Sequence, residues 1–294
     1  MEKLRSYYKS PNRDFTLLMG DTFSLLQQFD FKFDMIFADP PYFLSNGGIS
    51  VQSGKMVSVD KGDWDKSHGF AADNAFHKRW IQLCRDKLTE AGTIWISGTY
   101  HNIFSVAQAL TELQFKILNV ITWQKTNPPP NLSCRYFTHS TEFIVWARKN
   151  KKIPHLYNYE LMRKLNGGKQ MRDVWPLPAI ARWEKSCGKH PTQKPLALLT
   201  RTILAATRPG DWVLDPFAGS STTGIAASLA GRRYLGIEQE QKFLEMSRLR
   251  RQELENPSIR AAYRDRIADF RLSRDFDNGV AESEGDYRPE LPII

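Results

Sequence analysis

Asp34-Met35-Ile36-Phe37-Ala38-Asp39-Pro40-Pro41-Tyr42 is the stretch whose reading decides the fold. Apart from its leading aspartate, the run up to Ala38 is apolar and ends in turn formers, the pattern of a short buried strand. Two successive prolines cannot extend it, because each fixes φ and lacks an N–H. The strand therefore stops at Asp39 and brings a carboxylate, the carbonyl of Pro40 and the ring of Tyr42 to one edge of a sheet. Two acceptors beside an aromatic ring suit a flat heterocycle that carries an exocyclic amino group. The acceptors take its two N–H donors, which favours a pyramidal nitrogen with a free lone pair, and the ring stacks on the heterocycle.

Outward from this strand the chain alternates between two periods. Upstream, a polar first dozen residues leads to a strand over 15–19, closed by Gly20-Asp21, and a short helix over 22–29. Downstream, residues 43–74 carry Asn46-Gly47-Gly48, Ser53-Gly54 and Lys61-Gly62-Asp63-Trp64 and show neither period. So long a stretch without structure predicts a functional loop, here one that orders on substrate, since Trp64 and Phe70 do not suit a solvated insertion. Apolar residues at 76, 80, 83, 84 and 88 predict a helix ended by Ala91-Gly92. A strand over 93–97, a helix over 103–113 and a strand over 116–123 follow. Beyond the break Asn127-Pro128-Pro129-Pro130-Asn131 comes a strand over 141–147, too near its predecessor for a crossover helix and so expected to pair antiparallel. From 148 to 188 the pattern fails. It resumes with a helix over 196–206, a strand over 212–215, a helix over 221–230, a strand over 233–237 and a helix over 239–254. Asn256-Pro257 is an N-cap followed by proline at the first helical position, opening a basic helix over 258–270. The acidic tail from 276 is expected to be disordered. The alternation predicts an α/β protein with a doubly wound, mainly parallel, Rossmann-like sheet.

Asp215-Pro216-Phe217-Ala218-Gly219-Ser220-Ser221-Thr222-Thr223-Gly224 leaves one of these strands and opens a helix. Small residues there let a ligand approach the backbone, and the helix N-terminus offers free N–H groups. Glu238 ends the next strand, where an acidic residue binds ribose hydroxyls in nucleoside-binding sheets. The missing third glycine argues against a dinucleotide pyrophosphate. S-adenosylmethionine, with a ribose and a zwitterion but no phosphate, fits better.

The two motifs together resemble those of the β-group DNA amino-methyltransferases, in which the catalytic motif precedes the cofactor motif. Phe43-Leu44-Ser45-Asn46-Gly47-Gly48, Lys61-Gly62-Asp63-Trp64-Asp65-Lys66, Trp95-Ile96-Ser97-Gly98, Asn131-Leu132-Ser133 and His190-Pro191-Thr192-Gln193-Lys194-Pro195 resemble the branch containing the DpnA, HinfI and CcrM adenine-N6 methyltransferases. The match spans about residues 15 to 250. The permuted order is physically permissible, because the two strand ends need only be neighbours in space. The resemblance implies a circularly permuted methyltransferase sheet. Asp39, Pro40, Pro41 and Tyr42 would be catalytic. Asp21 would contact the cofactor adenine, Glu238 its ribose, and the turn through Asp215, Pro216, Phe217, Gly219, Ser220, Ser221 and Thr222 its methionine. Thr192 and Lys194 would hold its carboxylate, and Asp39 would also border it. His190 is read as structural. Ser221 stands where the family usually has Gly, a departure that leaves binding intact.

Charge points to the partner. Residues 123–195 hold 14 Lys and Arg against 4 Asp and Glu, leaving 27 basic against 28 acidic residues elsewhere, so this one segment holds all of the net +9. Such a concentration predicts a polyanion, here DNA, double-stranded and also single-stranded. Mixed basic and aromatic residues, including Tyr157, Tyr159, Trp175 and Trp183, suit phosphate contact and base stacking. The candidate DNA contacts are Lys125, Asn127, Asn131, Arg135, Tyr136, His139, Lys149, Lys151, Lys152, Lys169 and Arg172. The expected organisation is a catalytic half over 1–147, an irregular target-recognition region over 148–189, a cofactor-binding half over 190–255, a basic helix over 256–275 and a tail over 276–294.

The three cysteines show neither disulfide nor zinc spacing. With no apolar leader and no run of membrane length, a soluble cytoplasmic protein of a prokaryote or phage is expected. Adenine-N6 methylation at GATC or GANTC, with or without a companion endonuclease and with a homodimer expected, is the leading reading. N4-cytosine methylation is the alternative, although cytosine enzymes of the family more often carry Ser in place of Asp39. C5-cytosine chemistry needs a thiolate after proline, whereas Cys134 and Cys187 each follow Ser. RNA or protein-glutamine methylation and a catalytically silent DNA-binding protein complete the alternatives.

Overall fold

The computed structural model describes residues 4–43, 49–52, 55–58, 66–67, 69–131 and 133–273. The expected tail over 276–294, Trp64 and part of the expected substrate loop lie outside them. In chain order come β1 (Tyr8–Lys9), β2 (Phe15–Met19), α1 (Thr22–Leu26), β3 (Phe33–Ala38), β4 (Ile49–Gln52), β5 (Lys55–Ser58), α2 (Phe70–Lys87), β6 (Leu88–Gly98), α3 (Ile103–Glu112) and β7 (Lys116–Lys125). Then follow β8 (Thr141–Arg148), α4 (Tyr159–Leu165), β9 (Val174–Leu177), α5 (Leu196–Ala206), β10 (Trp212–Asp215), α6 (Thr222–Leu229), β11 (Arg233–Glu238), α7 (Gln241–Glu253) and α8 (Pro257–Arg266).

Nine strands form one sheet in the order β1-β2-β11-β10-β3-β6-β8-β7-β9. The run from β2 to β6 is parallel, as are β7 and β9, while β8 and β1 run the other way. The expected β7–β8 antiparallel pair is present. Because helices cover both faces, successive strand residues go to opposite cores. Met35 and Phe37 pack with α5 and α6, and Ile36 and Ala38 with α2 and α3. Gly224 opens a close approach of α6 to the sheet, since a Cβ there would meet the Phe15 and Tyr234 rings at 2.5 Å.

Four expectations change. Residues 49–58 hold a strand pair, β4 against β5. Helix α2 starts at residue 70 because its first turns are exposed, and an apolar stripe cannot reveal them. Ala91-Gly92 does not end that helix but lies in β6, where pairing jumps from Phe33↔Leu88 to Met35↔Thr93 across a bulge. The segment 148–188 is not irregular throughout. It folds into α4, which buries Leu161 and Met162, and β9, which adds an edge strand on β7 and so tolerates Pro176. Trp175 belongs to the core, and the partly buried Tyr157 and Trp183 pack against it, so all three are withdrawn as base-stacking residues.

The basic C-terminal helix is held by the cap read from sequence, the Asn256 side chain accepting from the Ser258 and Ile259 N–H groups. Its arginines have local tasks. Arg260 and Arg264 donate to the carbonyls of Ser228 and Leu229 at the end of α6.

Candidate active site

Strands β3 and β10 are neighbours, with Met35 opposite Val213 and Ile36 opposite Leu214. From β3 the chain crosses through α2 to β6, and from β10 through α6 on the other face to β11. Between them the strand order reverses, and there a doubly wound sheet opens a crevice at its carboxyl edge. A cavity of about 360 Å³ occupies it, lined by both Asp39 and Asp215.

Asp39 leaves β3 beside Ser97 of β6. The Tyr42 hydroxyl donates to its Oδ1 at 2.7 Å and the Ser97 hydroxyl at 2.5 Å, and Lys194 Nζ reaches Oδ1 at 2.8 Å and Oδ2 at 2.7 Å. Burial alone would raise this carboxyl, but the Lys194 charge and these hydrogen bonds hold it below the usual carboxylate range. Burial would lower the Lys194 ammonium, and the carboxylates of Asp39 and Glu142 reverse the effect. Both are charged at neutral pH. Burial, with Asp39 alongside, pushes the Tyr42 phenol well up, so it remains a donor.

Asp215, one strand away, is more deeply buried and, among the described residues, has no cation beside it. Burial pushes its carboxyl to about 7, against hydrogen bonds from Thr223 and the Phe217 N–H, with Asp39 and Glu238 adding repulsion. After it the chain turns sharply. Gly219 and Ser221 have φ of 50° and 52°, both in the left-handed region. Arg250 of α7 ties the turn down, its Nη1 donating to the Ser220 carbonyl at 2.6 Å and to Thr222 Oγ1 at 3.0 Å. Ser247 Oγ donates to the Gly219 carbonyl at 3.0 Å. At the end of β11, Glu238 accepts from the N–H groups of Gly219, Gln239 and Glu240, each at 2.8 Å. Asp21 caps α1 by accepting from Ser24 N at 2.9 Å.

The loop before α5 is held from beneath by Glu184, which accepts from Leu196 N at 2.7 Å and Ala181 N at 3.0 Å. That anchorage delivers Thr192 and Lys194 to the cavity. His190 packs edge-on to Phe243 with ring centres 4.2 Å apart. Burial lowers it to about 4, so it is neutral, which suits the structural reading. A second hollow of about 250 Å³ lies where Tyr42 meets Phe43, His77, His101 and Asn102. Tyr42 borders both spaces.

Residues 33–249 match the N6/N4 methyltransferase family, described as DNA methylases. The chain belongs to that family. The methylase is 53% identical over 266 residues to the type II methyltransferase M2.MboI of Moraxella bovis, covering 90% of this chain and 97% of that protein. It is 59% identical over 242 residues to the type II methyltransferase M2.DpnII of Streptococcus pneumoniae, covering 82% and 90%. The crystal structure of the M1.HpyAVI–SAM complex superposes with a TM-score of 0.63 at 29% identity, over 80% of this chain and 98% of the other. The cytosine-N4-specific PvuII DNA methyltransferase superposes at 0.67 over 95% and 96%, and at 17% identity it shows the shared fold alone.

Of the candidate residues in the methylase, Asp21, Asp39, Pro40, Pro41, Tyr42, Thr192, Lys194, Asp215, Pro216, Phe217, Gly219, Ser220, Thr222 and Glu238 all line the cavity. Ser221 is buried beneath it. The basic candidates divide. Lys125, Asn127, Asn131, Arg135, Tyr136 and His139 belong to the carboxyl end of β7 and the connection to β8, on the edge that opens the cleft. Lys149, Lys151 and Lys152 follow β8, which runs backwards, and so lie at the opposite edge, where Lys149 Nζ bonds the Leu88 carbonyl at 2.9 Å. Lys169 and Arg172 precede β9, whose first residue Val174 pairs with Thr122, so Arg172 stands beside the middle of β7.

Three further residues shape the site without a signal in the sequence pattern: Ser97, Glu142 and Arg250. Ser97 lay within a quoted motif, but its role depends on β6 being next to β3. Glu142 Oε1 is 2.6 Å from Lys125 Nζ, and its Oε2 is 3.7 Å from Lys194 Nζ. Arg250 reads as one more basic residue of a helix, and nothing in the spacing announces that it is buried. Among the described residues no cluster of His, Cys, Asp and Glu could hold a metal ion, and no helix is long and apolar enough to cross a membrane.

Proposed function

We propose that this methylase transfers a methyl group to the exocyclic N6 of adenine in DNA, the duplex being entered at the carboxyl edge and the target base extruded into the hollow beside Tyr42. The observation that carries the reading is the meeting of Asp39 and Asp215 at neighbouring strand ends in one cavity. S-adenosylmethionine supplies the methyl group on a cationic sulfonium. Its charge suits a cavity where Asp215 is buried without a cation, and its hydroxyls suit Glu238, whose orientation three backbone N–H groups fix. Asp21 is assigned to the adenine end, the turn from Asp215 to Thr222 to the methionine, and Thr192 with Lys194 to its carboxylate.

Asp39 and the Pro40 carbonyl accept the two N–H donors of the target amine and leave its lone pair free. As that nitrogen gains a fourth bond, with the donor's carbon–sulfur bond breaking to leave a neutral thioether, it becomes cationic, and the Asp39 carboxylate stabilises the charge until the surplus proton leaves to solvent. A carboxyl held below its usual range is a poor base but a good counter-charge, so electrostatics rather than early proton removal drives the step. Extrusion costs a few kcal/mol, offset by stacking on Tyr42 and by contacts to phosphates. Lys125, Asn127, Asn131, Arg135, Tyr136 and His139 are assigned to the DNA, with Asn and Arg suited to adenine and guanine edges.

Asp at position 39 favours adenine over cytosine. Lys125-Thr126-Asn127 and Arg135-Tyr136-Phe137-Thr138-His139-Ser140 resemble the DpnA group, which supports GATC before GANTC. Cytoplasmic location, a place in a restriction-modification system, activity on single strands and a homodimer belong to the same proposal. So does the division into catalytic, target-recognition and cofactor-binding parts at about residues 147 and 189, followed by the basic helix and tail.

The test is methylation of defined duplexes with radiolabelled cofactor, digestion to nucleosides and chromatography. Labelled N6-methyladenine within GATC is the expected product. N4-methylcytosine, or label on no DNA, would overturn the reading. Single-stranded substrates in the same assay and sedimentation of the protein address the remaining points.

A further inference from the structure

On that reading, Asp39 has to receive the target amine, yet four donor contacts already converge on its carboxylate. Oδ1 accepts from Tyr42, Ser97 and Lys194, and Oδ2 accepts from Lys194 at 2.7 Å. A carboxylate oxygen offers about two lone-pair sites, so Oδ1 is already crowded and Oδ2, which carries the Lys194 ammonium alone, is the oxygen left to the amine. Ser97, on β6, and Tyr42 are neutral and bond Oδ1 alone. Lys194 is the donor that covers Oδ2, and its withdrawal opens that oxygen fully.

A buried ammonium cannot simply be released, because a cation left unpaired in the interior costs several kcal/mol. Lys194 retains only 7% side-chain exposure. One other carboxylate lies close. Glu142 Oε2 is 3.7 Å from Lys194 Nζ, too far for a hydrogen bond, and this oxygen is buried with no hydrogen-bond partner. A buried carboxylate oxygen without a donor is costly, and a shift of about 1 Å by Nζ would satisfy it. The receiving group does not itself wander. Glu142 sits on β8 opposite Trp123 of β7, one residue from the β6 ladder, and its Oε1 is held by Lys125 at 2.6 Å.

We propose that Glu142 is a positioning residue that draws the Lys194 ammonium away from Asp39, clearing the carboxylate for the target amine. An ammonium has three donors, so Lys194 on Glu142 still has N–H groups to offer a cofactor carboxylate. Lys125, on the cleft edge, holds the other oxygen of Glu142 and so links the DNA side of the cleft to this exchange.

A double-mutant cycle read by single-turnover methylation at saturating cofactor and DNA tests the assignment, with Glu142→Gln, Lys194→Met and the double variant. Glu142→Gln is expected to slow the chemical step about 30-fold while the dissociation constants for cofactor and DNA stay within threefold. Glu142→Asp is expected to recover part of the rate. Lys194→Met clears Asp39 without help, so adding Glu142→Gln to it is expected to cause no further loss. A wild-type rate in Glu142→Gln, or losses that add in full across the cycle, would overturn the assignment. If Glu142→Gln fails to fold, the same cycle is run with Glu142→Asp and judged by the same additivity. Wild-type methylation in parallel separates the two levels, since its failure would remove the proposed function, whereas a normal Glu142 variant beside an active wild type would remove only this role.

Discussion

Asp39 and Asp215 end adjacent strands, border the same cavity and are both enclosed, yet their surroundings drive them in opposite directions. Asp39 is held below its ordinary range by Lys194, Ser97 and Tyr42. Asp215 has no cation and is pushed to about 7. The difference is one of neighbours, since β3 faces β6 and the loop before α5, whereas β10 faces its own tight turn and β11. A carboxylate already charge-balanced can steady a neutral amine that becomes cationic late. A carboxylate lacking a counter-charge is suited to a ligand that arrives with one. Two aspartates on one edge therefore divide the work, one toward the acceptor and one toward the donor.

The division fails first if the two can be exchanged. Asp39→Ala is expected to cut the single-turnover rate about 10³-fold and leave cofactor affinity within threefold, measured by quench-flow and calorimetry. An affinity loss as large as the rate loss would merge the two roles. Asp215→Asn is expected to do the reverse, weakening cofactor binding about 10- to 100-fold while saturating cofactor restores much of the rate.

Their pH responses sharpen the contrast. Between about pH 4, where an unfolded aspartate titrates, and about 7, folded Asp215 keeps a proton that the unfolded chain has lost. Its contribution to stability is therefore complete below pH 4 and is lost as pH rises through 7. Asp39 contributes in the other sense, fully above the unfolded value and less as pH falls through its depressed folded value. Asp215→Asn is expected to melt above the wild type at pH 8, with the gap closing toward pH 5 in scanning calorimetry. Cofactor affinity of the wild type should rise across pH 6 to 8 and that of Asp215→Asn should not.

The smallest expected effect lies in the turn after Asp215. Ser221 holds φ of 52°, where a Cβ costs about 1 kcal/mol. Ser221→Gly should raise stability by about that amount in denaturant unfolding and leave cofactor binding unchanged. A loss of stability would show that the Ser221 side chain contributes more than its backbone strain removes.

Much of this was legible in the chain because it is written in local signals. Proline pairs end strands, periods of two and of 3.6 separate strand from helix, and the Asp215 turn and Asn256 cap follow from small and polar residues at fixed places. The pairing of Asp39 with Ser97 was not legible, since it requires strands over 33–38 and 88–98 to be neighbours. The elements within 148–188 were too short to show a period, so α4 and β9 were read as irregular and their buried aromatics as stacking residues. Charge along the chain places Lys149, Lys151 and Lys152 in one basic segment with Lys125. Strand direction separates them, as β8 carries the chain back to the far edge. Glu142 was invisible for the opposite reason, being one acidic residue in a basic segment whose importance rests on lysines 17 and 52 positions away.

The most direct test of the shared cleft is a crystal structure of the protein with S-adenosylhomocysteine. The sulfur is expected between the Asp215 turn and the Tyr42 ring, with the ribose on Glu238 and an open path from the sulfur to Asp39. Density for the ligand elsewhere, or a sulfur walled off from Asp39, would contradict the account.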